Sequence, residues 1–290
     1  MDTLLWLFFG AVVVVTFLWI VRRNRRPNVF LEGMAKYKRV TLVDIRQISP
    51  DTKVFVFGLP NENISLGLPI GKHLLFRAEI NGEEVVRKYT PTSRIDLAGR
   101  FEVPIKIYFA NVHPKFPEGG KMTMYLNTLG VGDSMEVAGP RGQLEYVRNQ
   151  IFTLTTKKDS KQFEVDALGL ICGGTGITPC FQLIQYIIDH GHNVKLSLIY
   201  ANKEEVDILL KERLEAYKQA GKLTVFYTLD SPPADWNGGS GFVSQEMIQT
   251  YMPAPDTRCL ICRCGPPPMN VHVGKQLTAL GYKADQVFKF

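Results

Sequence analysis

Ala167-Leu168-Gly169-Leu170-Ile171-Cys172-Gly173-Gly174-Thr175-Gly176-Ile177-Thr178-Pro179 reads as a buried strand, a glycine-rich turn and the first turn of a helix. The continuous apolar run suits a parallel strand covered on both faces. The glycines let backbone approach a diphosphate, and the following helix N-terminus points its positive dipole end at that charge. Pro179 stands where a third glycine would complete the usual dinucleotide fingerprint, but proline fits the first turn of a helix.

Beyond the helix that runs to about residue 190, the alternation continues. Strands are expected at residues 194–200, 223–229, 258–264 and 286–290, with helices at about 204–220, 242–251 and 270–280. Alternating strand and helix predicts a doubly wound α/β domain over residues 149–290. Ligands of such sheets sit at the carboxyl ends of the strands. Those ends carry the Gly173 turn, Tyr200 and Cys264-Gly265-Pro266-Pro267-Pro268-Met269, so the three loops should share one crevice. Glu204, Glu205 and Asp207 follow Tyr200 and outnumber Lys203. Carboxylates there suit a free ribose hydroxyl and repel a 2′-phosphate, which favours NADH over NADPH. The same residues would also suit a helix N-terminus.

Residues 34–148 have a different rhythm: short alternating strands separated by Gly and Pro turns, the pattern of an all-β antiparallel barrel. An Asn81-Gly82 hairpin turn leads into Arg87-Lys88-Tyr89-Thr90-Pro91-Thr92-Ser93. This segment offers a fixed cation, an aromatic face and hydroxyls, a set suited to a flat ring system joined to a phosphate. Gly119-Gly120-Lys121-Met122-Thr123 reads as a glycine turn feeding a helix N-terminus that can face an anion. His73, after Gly71-Lys72, is a second-tier candidate, because a lone histidine is more often structural.

Composition narrows the function classes. The chain has 290 residues, 45% hydrophobic and 21% charged, which is globular and long enough for two domains. Its net charge is +6, and removing the four arginines of Arg22-Arg23-Asn24-Arg25-Arg26 leaves about +2. That is a poor footprint for nucleic acid. The 5 cysteines, Cys172, Cys180, Cys259, Cys262 and Cys264, are odd in number and confined to the C-terminal half, so they make no disulfide framework. Cys259-Leu260-Ile261-Cys262 reads as a buried strand, and no second ligand pair stands near it for zinc or an iron–sulfur cluster. Residues 1–33 are expected to form an N-terminal membrane anchor, about 4–21, with a basic linker. Trp6 and Trp19 lie near its ends, and the arginines after it predict a cytosolic catalytic part. A cleaved signal peptide is the alternative, but the charge lies on the wrong side and no small-x-small site follows.

Arg-x-Tyr-Thr-Pro-x-Ser, Gly-Gly-Lys-Met-Thr, Gly-Gly-Thr-Gly-Ile-Thr-Pro and Cys-Gly-Pro-Pro-Pro-Met stand in this order in one chain. Together they resemble the NADH–cytochrome b5 reductase family of the ferredoxin–NADP reductase superfamily, over about residues 37–290, and with the anchor its membrane-bound fungal members. The resemblance implies an enzyme using FAD and NADH, with cytochrome b5 or a similar haem protein as partner, no metal, and a soluble part that is monomeric. It implies a single-pass protein of the endoplasmic reticulum or mitochondrial outer membrane. It implies that Arg87, Tyr89, Thr90 and Ser93, with Ile107, Tyr108, Phe116, Gly120, Lys121, Met122 and Thr123, hold the FAD. Gly173, Gly174, Thr175, Gly176, Thr178, Tyr200, Asp207, Cys264, Gly265, Pro266, Met269 and Phe290 would take NADH. Thr90, Cys264 and His73 would serve the reaction itself. Lys88 and Ala110 depart from the family pattern, where proline and, in animal members, lysine are usual. A same-fold reductase for another acceptor, such as a ferric chelate, quinone or other haem protein, and a non-catalytic tethered protein are the alternatives.

Overall fold

A computed structural model describes residues 29–31, 36–112 and 117–290. The expected anchor, its arginine run and Phe116 lie outside these residues. Among the described residues no helix is long and apolar enough to cross a membrane.

The first domain is a six-stranded antiparallel sheet in the order β4-β3-β6-β1-β2-β5. Its strands are β1 (Lys38–Ser49), β2 (Thr52–Gly58), β3 (His73–Ile80), β4 (Glu83–Tyr89), β5 (Arg100–Lys106) and β6 (Ser134–Arg141). Alternation places Phe55 and Phe57 of β2, Phe76 of β3 and Phe101 of β5 in one core. The edge strands β4 and β5 are not paired with each other in the ladder. The chain just past β4 bridges the gap: Thr92 N donates to Glu102 O at 2.9 Å, and Glu102 N donates to Ser93 Oγ at 3.1 Å. The Arg87–Ser93 motif thereby closes the barrel as well as presenting its side chains. Helix α1 (Lys121–Thr128) packs on β3 and β4 and buries Met122 and Leu126. Residues 29–31, expected to belong to the linker, belong instead to this domain. Phe30 and Leu31 are buried and their N–H groups bond Ser65 and Leu66.

A small antiparallel sheet, β7 (Leu144–Arg148), β8 (Ile151–Thr155) and β9 (Ser160–Glu164), follows the barrel. Asn149 and Gln150, both at positive φ, make the turn between β7 and β8. Strands β8 and β9 are additional to those expected from the sequence. Tyr146 and Phe152 of this sheet join the core of the second domain.

That domain is a parallel sheet in the order β13-β12-β11-β10-β14-β15. The strands are β10 (Ala167–Gly173), β11 (Lys195–Asn202), β12 (Thr224–Leu229), β13 (Gly239–Ser240), β14 (Cys259–Cys264) and β15 (Val287–Lys289). Alternate residues face two cores. Leu168, Leu170, Leu198 and Leu260 meet helix α2 (Ile177–Asp189) on one side. Ile171, Ile199 and Ile261 meet α4 (Gln245–Tyr251) and α5 (Pro267–Ala279) on the other. The helix expected over 204–220 is broken. Glu204 and Asp207 cap a single 3-10 turn, Ile208 and Leu209 turn inward, and Leu210 sits at φ 60° before α3 (Lys211–Gln219) begins. Burying two apolar residues outweighed helix propensity there.

The barrel core depends on ring packing. Phe57 is fully buried, edge-on to Phe76 at 5.4 Å and stacked near Phe101 at 5.5 Å. Phe57→Ala should destabilise the barrel by about 3–5 kcal/mol, read as an earlier urea transition of that domain with the α/β transition unmoved.

Candidate active site

The glycine turn after β10 works by close backbone packing. A Cβ on Gly176 would collide with the carbonyl of Cys264 and come within 3.0 Å of Gly265 N. A Cβ on Gly173 would meet Met269 Sδ at 2.5 Å, and one on Gly265 would meet the same sulfur at 2.7 Å. Gly174 adopts φ +53°, a backbone state that β-carbons disfavour. The Gly173 turn and the Cys264-Gly265 rim are therefore one contiguous surface. Thr178 closes it, its hydroxyl donating to Thr175 O at 3.1 Å.

Tyr200 departs from expectation. Its ring is fully buried, so it has no face for a ligand. Its hydroxyl donates to Gly174 O at 3.0 Å and accepts from Leu209 N at 3.3 Å, so it braces the glycine turn from beneath. The side chains of Ile107 and Met122 are likewise buried in the barrel core, leaving only their backbone to meet a cofactor. Phe290 stacks edge-on against Phe288 at 5.0 Å, and its N–H donates to Arg263 O at 3.1 Å, which ties the C-terminus beside β14.

On the barrel side, Gly119 and Gly120 fold against Tyr108. A Cβ on Gly119 would strike Tyr108 O, and one on Gly120 would lie 2.5 Å from Thr123 Oγ1. Thr123 Oγ1 accepts from Tyr108 N at 3.2 Å, and Gly120 N donates to Tyr108 O at 2.9 Å. The first intrahelical bond of α1 is Met124 N to Gly120 O. The N–H groups of residues 121–123 thus lack an intrahelical acceptor and can face an anion. Lys121 is held by Glu83 at 2.6 Å. Tyr89 packs against Phe76 at 4.8 Å, and burial raises its phenol well above the ordinary value. Arg87 and Tyr108 lie close enough to bear on that ionisation, so the three share one wall.

Register puts Leu74 opposite Tyr89, and His73 and the buried Thr90 are the residues next to that pair along the chain. Burial first, then Lys88, Lys72 and Arg141, push the His73 imidazole down to about 4. The Cys264 thiol is pushed up to about 12, chiefly by burial and then by Cys180. Both are neutral at pH 7.

The two walls are joined by residues the sequence reading missed. Gln182 and Gln185 are buried on the same stripe of α2 as Thr178, one and two turns further on. Gly71 N donates to Gln182 Oε1 at 2.7 Å, and Gln182 Nε2 donates to Lys72 O at 3.4 Å, immediately before His73. Gln185, in the amide orientation that satisfies both ends, donates to Thr92 O at 3.2 Å. Lys106 of β5 bridges Asp51 at 2.7 Å and Asp207 at 3.1 Å, so Asp207 is tied to the barrel as well as capping its own turn. Two buried amides on an otherwise apolar helix were the available signal for the docking face.

Two glycine cradles, each closed to a β-carbon and backed by a helix N-terminus, flank a neutral wall. This geometry fits two diphosphate-linked ring systems and defines a two-domain flavin and nicotinamide oxidoreductase. Residues 39–146 match the oxidoreductase FAD-binding domain family, and residues 170–275 match the oxidoreductase NAD-binding domain family. NADH-cytochrome b5 reductase 2 of Gallus gallus is 44% identical over 93% of this chain and 90% of its own length. The Homo sapiens protein of the same name is 42% identical over 92% of this chain and 99% of its own. The solved cytochrome b5 reductase domain of Ulva prolifera nitrate reductase superposes with a TM-score of 0.84, at 37% identity, over 90% of this chain and 99% of that one. The chain belongs to the NADH–cytochrome b5 reductase family.

Gly176→Ala should force the Cys264 carbonyl away and raise the KM for NADH by about tenfold or more, a loss of ~1.4 kcal/mol, while bound FAD per mole of protein stays unchanged. The depressed His73 implies a pH effect. Between 6.5 and about 4 the unfolded chain binds a proton that the folded protein refuses, so stability falls as pH drops through that window. Thermal unfolding of the FAD-loaded enzyme should show this fall, and His73→Gln should flatten it.

Proposed function

We infer that this protein oxidises NADH and delivers the electrons singly to cytochrome b5. The buried glutamines of α2, which tie that helix to the barrel backbone at Gly71, Lys72 and Thr92, support passage of electrons between the two domains, and the NADH-cytochrome b5 reductases this chain matches support the acceptor. When bound, FAD accepts a hydride as a two-electron unit and releases electrons one at a time. The protein's residues do the rest. The free N–H groups of residues 121–123 and the Arg87 guanidinium take the FAD diphosphate. Tyr89 would lie on the flavin side, and Thr90 would hydrogen-bond the edge of the ring. The glycine turn binds the NADH diphosphate, with Thr178 and the Cys264 rim against the nicotinamide.

Cys264 is a neutral neighbour of the transfer. With its thiol pushed up to about 12, it lends bulk and polarisability without a competing nucleophile. The neutral His73 imidazole can pass a proton between its two nitrogens without adding charge beside the ring. Asp207 sets a carboxylate near the expected ribose, which favours NADH over its 2′-phosphorylated form.

We place the enzyme on a membrane through residues 4–21, with the catalytic part in the cytosol as a monomer. The apolar run and the arginines after it support this reading. Endoplasmic reticulum and mitochondrial outer membrane both fit, and imaging of the tagged full chain decides between them. A wholly soluble distribution of that chain would overturn the anchor.

Anaerobic NADH added to the FAD-loaded protein should bleach the flavin bands within a stopped-flow mixing experiment, with NADPH markedly slower. Oxidised cytochrome b5 added afterwards should restore them and be reduced two equivalents per flavin. Loaded flavin left coloured by NADH would overturn the hydride step, and faster turnover with a ferric chelate than with cytochrome b5 would reassign the acceptor.

A further inference from the structure

A groove of 670 Å³ lies between one flank of α5 and the edge strand β15. Arg263, Asn270, Gly274, Lys275, Thr278 and Lys289 line it, and among the described residues no carboxylate does. Lys275 and Lys289 are exposed, and neither they nor Arg263 make a salt bridge among the described residues.

Arg263 is the unusual member. It is paired in register with Lys289, so two cations stand side by side on adjacent strands. Its guanidinium lies so near Gly274 that an added Cβ would sit 3.0–3.1 Å from its terminal nitrogens and Cζ. One terminal nitrogen donates to Asn270 O, but its Nε is buried with no partner. Burial lowers the guanidinium from its ordinary value. A planar guanidinium flanked by two ammonium groups matches a phosphate, which can take a guanidinium edge with two oxygens and still meet a lysine with a third.

We propose that this groove binds a phosphate-bearing ligand, with Arg263 and Lys289 gripping the phosphate and Lys275 and Thr278 at its margin. The room available exceeds a bare phosphate and suits a phosphorylated small molecule or a phospholipid headgroup. Asn270 couples the site to the nicotinamide rim, since its Nδ2 donates to Gly265 O at 2.6 Å while its carbonyl receives Arg263.

The test uses the full chain loaded with FAD and saturated with NAD+, so that neither diphosphate cradle competes. Inorganic pyrophosphate and dihexanoyl phosphatidic acid are titrated separately by calorimetry. Saturable binding is expected, weakened ~10-fold or more by Arg263→Met, less by Lys289→Ala, and partly kept by Arg263→Lys. Lys289 is exposed, so its variant reports binding even where Arg263→Met disturbs packing. Tighter binding of pyrophosphate assigns a soluble ligand, and tighter binding of the short-chain lipid assigns a headgroup. Absence of saturable binding by both probes, or binding unchanged in Arg263→Met and Lys289→Ala alike, overturns the proposal.

Discussion

Gln182 reaches across from α2 to the backbone of Gly71 and Lys72, and Gln185 reaches to Thr92. These bonds are buried, so neither amide can fall back on water, and an unmet partner would cost free energy. A buried hydrogen bond also has a narrow geometry. Apolar packing alone would let α2 slide along the barrel. The glutamines set both its height and its rotation, and with them the position of Thr178 relative to His73 and Thr90. Arg94–Asp189 at 3.1 Å and Lys106–Asp207 at 3.1 Å extend the same contact to its edges. Both are partly exposed and add less per pair.

The wall between the two cradles is built to stay uncharged. Burial holds the His73 imidazole, the Tyr89 phenol and the Cys264 thiol in their neutral forms at pH 7. Cations are kept to the exposed margins, at Arg87, Lys88 and Lys121. A low-dielectric, neutral centre with charge at the rim suits hydride passage between stacked rings, because no fixed ion there must be resolvated. Strand β14 serves two surfaces through its alternation. Cys264 packs toward the core shared with α2, while Arg263, one residue earlier, turns to the α5 flank.

Much of this was legible without coordinates. The run from Ala167 to Pro179 specifies a strand, a tight turn and a helix through local chemistry: apolar continuity, glycine and the φ of proline. The hairpin at Asn81-Gly82 and the alternation of Phe55 and Phe57 did the same for the barrel. Short-range patterns of this kind report which face of an element is apolar and where backbone must bend. The arrangement of motifs along the chain added the family and, with it, the chemistry.

What only the tertiary structure decided is how distant segments meet. Tyr200 reads as a strand-end residue of the crevice, yet it is drawn under the Gly174 turn, because its ring fills a core that six strands supply. Ile107 and Met122 sit within motif-like stretches but spend their side chains on the barrel core. The break at Leu210 follows from burying Ile208 and Leu209 against Tyr200, a contact with no trace in helical periodicity. Closure of the barrel by Thr92 and Ser93 onto Glu102 likewise joins strands at opposite edges of a sheet. Period and propensity are properties of neighbours along the chain, whereas each of these choices compares burial and hydrogen bonding between residues that only folding brings together.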